Sequence, residues 1–81
     1  MRIGITLFST LKKYLPKIAD GNFFEIEIKK GSSLVDVINQ IGIELEKTKI
    51  FFLNNAKVSI YDPIELKHGD KITIFPPMAG G

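Results

Sequence analysis

The 81-residue chain is long enough for one domain and no more, and at 44% apolar residues it lies well above the range of disordered sequences. Its net charge of +2, carried on scattered lysines, leaves no basic footprint for nucleic acid. The absence of cysteine excludes disulfides, thiolate zinc sites and cysteine nucleophiles, and a single histidine, His68, excludes a histidine cluster.

No apolar run approaches the length of a membrane span, and the first residues lack the basic start, apolar run and cleavage site of a signal peptide. The expectation is a cytoplasmic protein with no membrane or nucleic-acid partner. Residues 2–8 alternate, with Ile3, Ile5 and Leu7 on one side and Arg2, Thr6 and Phe8 on the other, which predicts a strand. Ser9 and Thr10 follow as candidate N-caps, and Leu11, Tyr14 and Leu15 have the spacing of a short helix that Pro16 ends. Asp20-Gly21-Asn22 is a turn. Residues 23–29 alternate again, Phe24, Ile26 and Ile28 against Glu25, Glu27 and Lys29, and predict a second strand antiparallel to the first.

The period then changes. Leu34, Val37, Ile38 and Ile41 form the stripe of an amphipathic helix, opened by a Ser33/Asp36 capping pair and closed by Gly42. Burial of those four side chains, at roughly 1.5–3 kcal/mol each, outweighs the weak helix propensity of the β-branched members. Residues 44–49 carry no clear pattern. Ile50-Phe51-Phe52-Leu53 predicts a short strand, Asn54-Asn55 a turn, and residues 57–60 a brief edge strand broken by Tyr61-Asp62-Pro63. After a turn at Lys67-His68-Gly69-Asp70, residues 71–75 predict a last strand with Ile72 and Ile74 inward and Thr73 and Phe75 outward. Pro76-Pro77 forbids its continuation.

A strand pair, a helix laid across the sheet and then further strands is the order of a ubiquitin-like β-grasp domain. The predicted architecture is α+β: a mixed sheet of about five strands on one main helix. Residues 1–81 form a single domain, with a body over 1–75 and a flexible C-terminal tail over 76–81. The lone His68 reads as a solvated turn residue, and Gly69-Asp70 mainly as turn chemistry. Lys12, Lys13 and Lys17 read as a solvated face. Glu25 and Glu27 share a strand side with no catalytic partner in view.

The chain ends His68-Gly69-Asp70-Lys71-Ile72-Thr73-Ile74-Phe75-Pro76-Pro77-Met78-Ala79-Gly80-Gly81. A Gly-Asp turn, an apolar strand, Phe-Pro-Pro, two residues and Gly-Gly resemble the end of the MoaD family, the small subunit of molybdopterin synthase. Leu7-Phe8 and Leu53-Asn54 also fit that family's pattern. The match is specific over about the last fifteen residues and loose elsewhere. The ThiS family of thiazole-synthesis sulfur carriers shares the fold and the Gly-Gly end but usually lacks the Pro-Pro, and ranks second.

The resemblance implies a sulfur carrier with no active site of its own. An E1-like adenylyltransferase of the MoeB type would use ATP to adenylate the terminal carboxylate, and this chain would bind no cofactor or metal. The adenylate would become a thiocarboxylate. A large subunit of the MoaE type would then accept the tail and pass sulfur to a pterin precursor, forming the dithiolene that binds molybdenum or tungsten in molybdenum-cofactor-type synthesis. Gly81 would carry the reactive group beside Gly80.

The residues suit that chemistry. A terminal carboxylate is ionised at neutral pH and a poor electrophile, and coupling to AMP makes it an acyl donor. Gly80 and Gly81, lacking Cβ, leave the acyl carbon unhindered and can thread a narrow channel. Pro76 and Pro77 stop the sheet and favour an extended approach for Met78 and Ala79. Phe8, Phe52 and Phe75, with Ile50, are expected to share one outer sheet face as an apolar partner surface. A bare Gly-Gly end is weak by itself and gains weight from the Phe-Pro-Pro before it. Three other readings stay open: a ThiS-like thiazole carrier, a ubiquitin-like protein modifier using the same tail, and a plain binding module using the Phe face.

Overall fold

The structure, a computed structural model, describes residues 1–77. Five strands form one sheet in the order β2-β1-β5-β3-β4. They are β1 (Arg2–Leu7), β2 (Phe23–Glu27), β3 (Ile50–Leu53), β4 (Ala56–Val58) and β5 (Lys71–Phe75), and one helix, α1 (Leu34–Ile41), completes the fold. β1 and β5 pair in parallel at the centre, and the other three pairings are antiparallel. The mixed five-stranded sheet and single main helix are those predicted.

Alternation places the core. Ile3, Ile5 and Leu7 of β1 and Ile72 and Ile74 of β5 are buried, and they meet Leu34, Val37 and Ile38 of α1. Those three helical residues fall at i, i+3 and i+4, so one stripe of α1 covers the inner sheet face. Ser33 caps the helix: its hydroxyl accepts from Asp36 N–H at 3.1 Å, and Asp36 Oδ2 accepts from Ser33 N–H at 3.0 Å. Gly42 ends it at φ 94°, a left-handed value that spares glycine the Cβ penalty. Ile43 then buries its side chain under the helix end while its N–H donates to Ile38 O at 3.1 Å.

Some local expectations need correction. Residues 9–14 form a 3-10 helix (Ser9–Tyr14), and neither Ser9 nor Thr10 caps it. The capping position falls on Phe8, which has the required extended backbone but no side-chain acceptor, while Ser9 sits at φ 56°. Leu15 is extended, as expected before Pro16. The edge strand lies at Ala56–Val58 rather than 57–60, because Asn54 and Asn55, at φ 50° and 76°, close a two-residue hairpin turn. Leu66 is buried in a segment without regular structure, where no periodicity could show it. Among the described residues no helix is long and apolar enough to cross a membrane.

Candidate functional site

The outer face of the sheet carries the sequence-predicted aromatic residues together. β5 lies between β1 and β3, so Phe75 at its end is flanked on both sides. Its ring stacks on Phe8, with centroids 4.9 Å apart and planes 6° from parallel, and meets the Phe52 ring edge-on at 5.9 Å. Both separations fall in the range where aromatic pairs attract beyond simple burial. Ile50 is the register partner of Phe75 and shares its side of the sheet. All four are half-buried among the described residues.

Backbone bonds hold the end of β5 from both flanks. Phe8 N–H donates to Ile74 O at 3.3 Å, and Lys49 N–H donates to Phe75 O at 2.8 Å. Pro76 is buried and Pro77 exposed, so the chain leaves the sheet beside the aromatic cluster. The expected loose tail, with the assignments to Met78, Ala79, Gly80 and Gly81, lies outside the described residues.

A polar clasp sets the other end of β5. The Asp70 carboxylate accepts from Lys67 N–H at 2.8 Å and from the Asn54 amide at 2.9 Å. Asn54 Oδ1 accepts from Lys71 N–H at 2.9 Å, and Asn54 N–H donates to Lys71 O at 2.8 Å. Asp70 therefore does more than make a turn: with Asn54 it fixes the register in which β5 enters the sheet, and hence where Phe75 emerges. His68 Nδ1 accepts from Arg2 N–H at 3.0 Å, tying the same turn to β1.

Phe23 is an outer-face aromatic that the sequence reading passed over. It is the register partner of Thr6, and its ring lies over Gly4, where a Cβ would come within 2.6 Å of it. The available signal was parity: Phe23 alternates with Phe24, which takes the inner side, and a glycine sits in the neighbouring strand.

Charge on this face is divided. Lys57 lies opposite Phe52 and Lys71 opposite Gly4, while Glu25 and Glu27 lie on β2. The chain's amino terminus approaches Glu27 Oε2 at 2.9 Å and Arg2 Nε lies 3.5 Å from its Oε1. Hydrogen bonding to the terminal ammonium, then its charge, then Arg2 hold the Glu27 carboxyl below its ordinary value. No group of three or more His, Cys, Asp or Glu residues among those described is placed to hold a metal ion.

A mixed five-stranded sheet, one main helix and a chain end leaving the central strand define a ubiquitin-like β-grasp domain. Solved structures share this fold. SAMP1 from Haloferax volcanii matches at a TM-score of 0.70 and 16% identity, over 100% of both chains. A Pyrococcus furiosus protein, provisionally described as molybdopterin converting factor subunit 1, matches at 0.65 and 24% identity, over 94% of this chain and 97% of its own. The complex of subunits 1 and 2 of molybdopterin-converting factor from Helicobacter pylori 26695 contains a chain matching at 0.62 and 21% identity, over 100% of both. At those identities the likeness is one of fold. No curated protein sequence matches the chain. The sequence itself matches the ThiS family over residues 6–81, and the chain belongs to that family of MoaD/ThiS ubiquitin-like domains.

Proposed function

We propose that this protein is a sulfur carrier for synthesis of a molybdopterin-type dithiolene cofactor, the MoaD role within its family. The observation that carries the reading is the exit of the chain from β5. A sequence ending Gly80-Gly81 passes through Pro76 and Pro77 beside the Phe8–Phe75 stack, in a domain of the ThiS family. A body with an apolar face where the chain leaves β5, and a sequence ending in two residues without Cβ, suit an enzyme that grips the one and modifies the other.

In this reading an E1-like adenylyltransferase of the MoeB type spends ATP to couple the Gly81 carboxylate to AMP, releasing pyrophosphate. A sulfur nucleophile then displaces AMP and leaves a thiocarboxylate. A MoaE-type large subunit receives the tail and takes the sulfur. Its counterpart is subunit 2 of the Helicobacter pylori complex, which is paired there with a chain of this fold. The steps take place in the cytoplasm, and catalysis belongs to the partners. Intact-mass measurement of protein from its native host tests this directly. A fraction heavier by about 16 Da, the exchange of O for S at the acyl terminus, is expected. Its absence, together with normal dithiolene cofactor in a strain deleted for this chain, would overturn the reading.

One observation favours a second use of the same terminus. A Haloferax volcanii structure described as small archaeal modifier protein 1 matches at a TM-score of 0.67 and 13% identity, over 94% of this chain. Attachment to protein lysines would appear as high-mass conjugates that disappear on deletion of Gly80-Gly81.

A further inference from the structure

β2 is the outermost strand on its side of the sheet. Its hydrogen-bonding pattern follows from register. Ile28 N–H donates to Met1 O at 2.7 Å and Leu7 N–H donates to Asn22 O at 3.1 Å. With Ile3 opposite Ile26 and Ile5 opposite Phe24, every second residue of β2 bonds to β1. Phe23, Glu25 and Glu27 therefore turn their N–H and C=O groups to the open side.

Among the described residues that open side is closed at both ends and free between them. Phe23 exchanges two backbone bonds with Asp20, at 2.8 and 3.1 Å. Glu27 O accepts from the Gln40 side-chain amide at 2.7 Å. The N–H and C=O of Glu25 and the N–H of Glu27 remain. Beside them runs a groove of about 410 Å³ lined by Arg2, Ile18, Asp20, Phe23, Glu25 and Glu27, in which Arg2 is turned to Glu27, leaving the Asp20 and Glu25 carboxylates unmatched among the described residues. Ile18 is 83% exposed, the most open large apolar side chain among the described residues. Asp20 and Glu25 are both exposed, and neither is in an ion pair within the described chain.

We propose that the free edge of β2 is a docking strand for an extended partner segment that alternates cationic with aliphatic side chains and adds beside Glu25 as a sixth strand. The carboxylates select the occupant. A second copy of this chain pairing there would set Glu25 against Glu25 or Glu27, and like charges directly opposite are destabilising. Lysine or arginine on the outer side of an added strand instead meets Asp20 and Glu25, and aliphatic residues on its inner side extend the half-buried Ile26. About three residues of such a segment, roughly 10 Å, fill the space between the Asp20 loop and Gln40, and its ends run past them. β1 separates this edge from the end of β5, so docking here leaves the aromatic cluster uncovered.

The test uses the full chain, labelled with 15N, and the blocked pentapeptide Lys-Val-Lys-Val-Lys, with Glu-Val-Glu-Val-Glu as its control. The cationic peptide is expected to slow hydrogen exchange at the Glu25 and Glu27 amides, with an affinity that falls as salt rises. Glu25→Lys, whose side chain makes no ion pair to lose, is expected to weaken it about tenfold while leaving the rest of the spectrum in place. Deleting Gly80-Gly81 should change nothing. The proposal fails if those amides are not slowed at about 5 mM peptide. It fails equally if the acidic control binds as well, if Glu25→Lys binds unchanged, or if the shifts centre on Phe8 and Phe75. Slowing that grows with protein concentration alone would assign the edge to a second copy and overturn it too.

Discussion

Asn54 serves two structures at once. Its backbone takes a left-handed φ of 50° in the β3–β4 turn, while its side chain joins Asp70 to the start of β5. Asn54→Gly keeps the turn permissive and removes only the clasp. The expected loss is about 1–3 kcal/mol, read as a lower urea midpoint at unchanged slope. An unchanged midpoint would show that the clasp is incidental. Local pattern could not reveal this bond, because its partners lie sixteen residues apart and each reads by itself as a turn former. Glu27 gives a pH-dependent counterpart. Its folded carboxyl titrates below the ordinary value, chiefly through its hydrogen bond with the terminal ammonium. The stabilisation it brings is therefore present above the ordinary value and is lost as pH falls through the folded one. Glu27→Gln should lower the urea midpoint slightly at neutral pH, with parent and variant converging in acid. A gap that widened in acid would reverse the sign and refute the assignment.

Elements whose signals are local were legible, although Ile41, the fourth residue of the expected stripe, is only half-buried. Ser33, Asp36 and Gly42 mark both ends of α1, and the stripe between them names the buried face. Ser33→Ala should cost about 1 kcal/mol, seen as a drop of several degrees in Tm, since it removes the hydroxyl that accepts from Asp36 N–H. β1, β2 and β5 were legible for the same reason: a period of two over five or six residues leaves one consistent side for the core. What escaped was structure decided by tertiary contact. The 3-10 form of Ser9–Tyr14 follows from Leu11 reaching the core directly after a tight corner at Ser9. Leu66 is buried by what surrounds it, and the place of Phe23 depends on a missing Cβ in another strand. The aromatic site lies between these cases. Parity predicted the side on which Phe8, Ile50, Phe52 and Phe75 stand, but only the sheet order brings three strands' residues into one cluster.

At the scale of the molecule, the proposed role asks the terminus to act without support from the core. Among the described residues the buried hydrophobic core runs from Ile3 to Ile74, and Gly81 lies seven positions beyond its last member. Gly81→Ala should then shift stability by less than about 0.5 kcal/mol. Under the proposed sulfur-carrier role it should still reduce dithiolene cofactor by about 100-fold, since a methyl group beside the acyl carbon displaces it from attack geometry. Phe8→Ala makes the complementary change. It removes half of the Phe8–Phe75 stack and weakens the grip of any partner on that face, while the terminus keeps its chemistry. Purified Gly81→Ala should therefore bind the large subunit nearly as the parent does but gain no mass during activation. Phe8→Ala should gain mass slowly and bind weakly, with the deficit recovered at higher concentration of the partner. If Phe8→Ala bound and loaded like the parent, the aromatic face would be structural and recognition would lie elsewhere. If Gly81→Ala supported normal cofactor levels, the terminus would not be the carrier, whatever the fold.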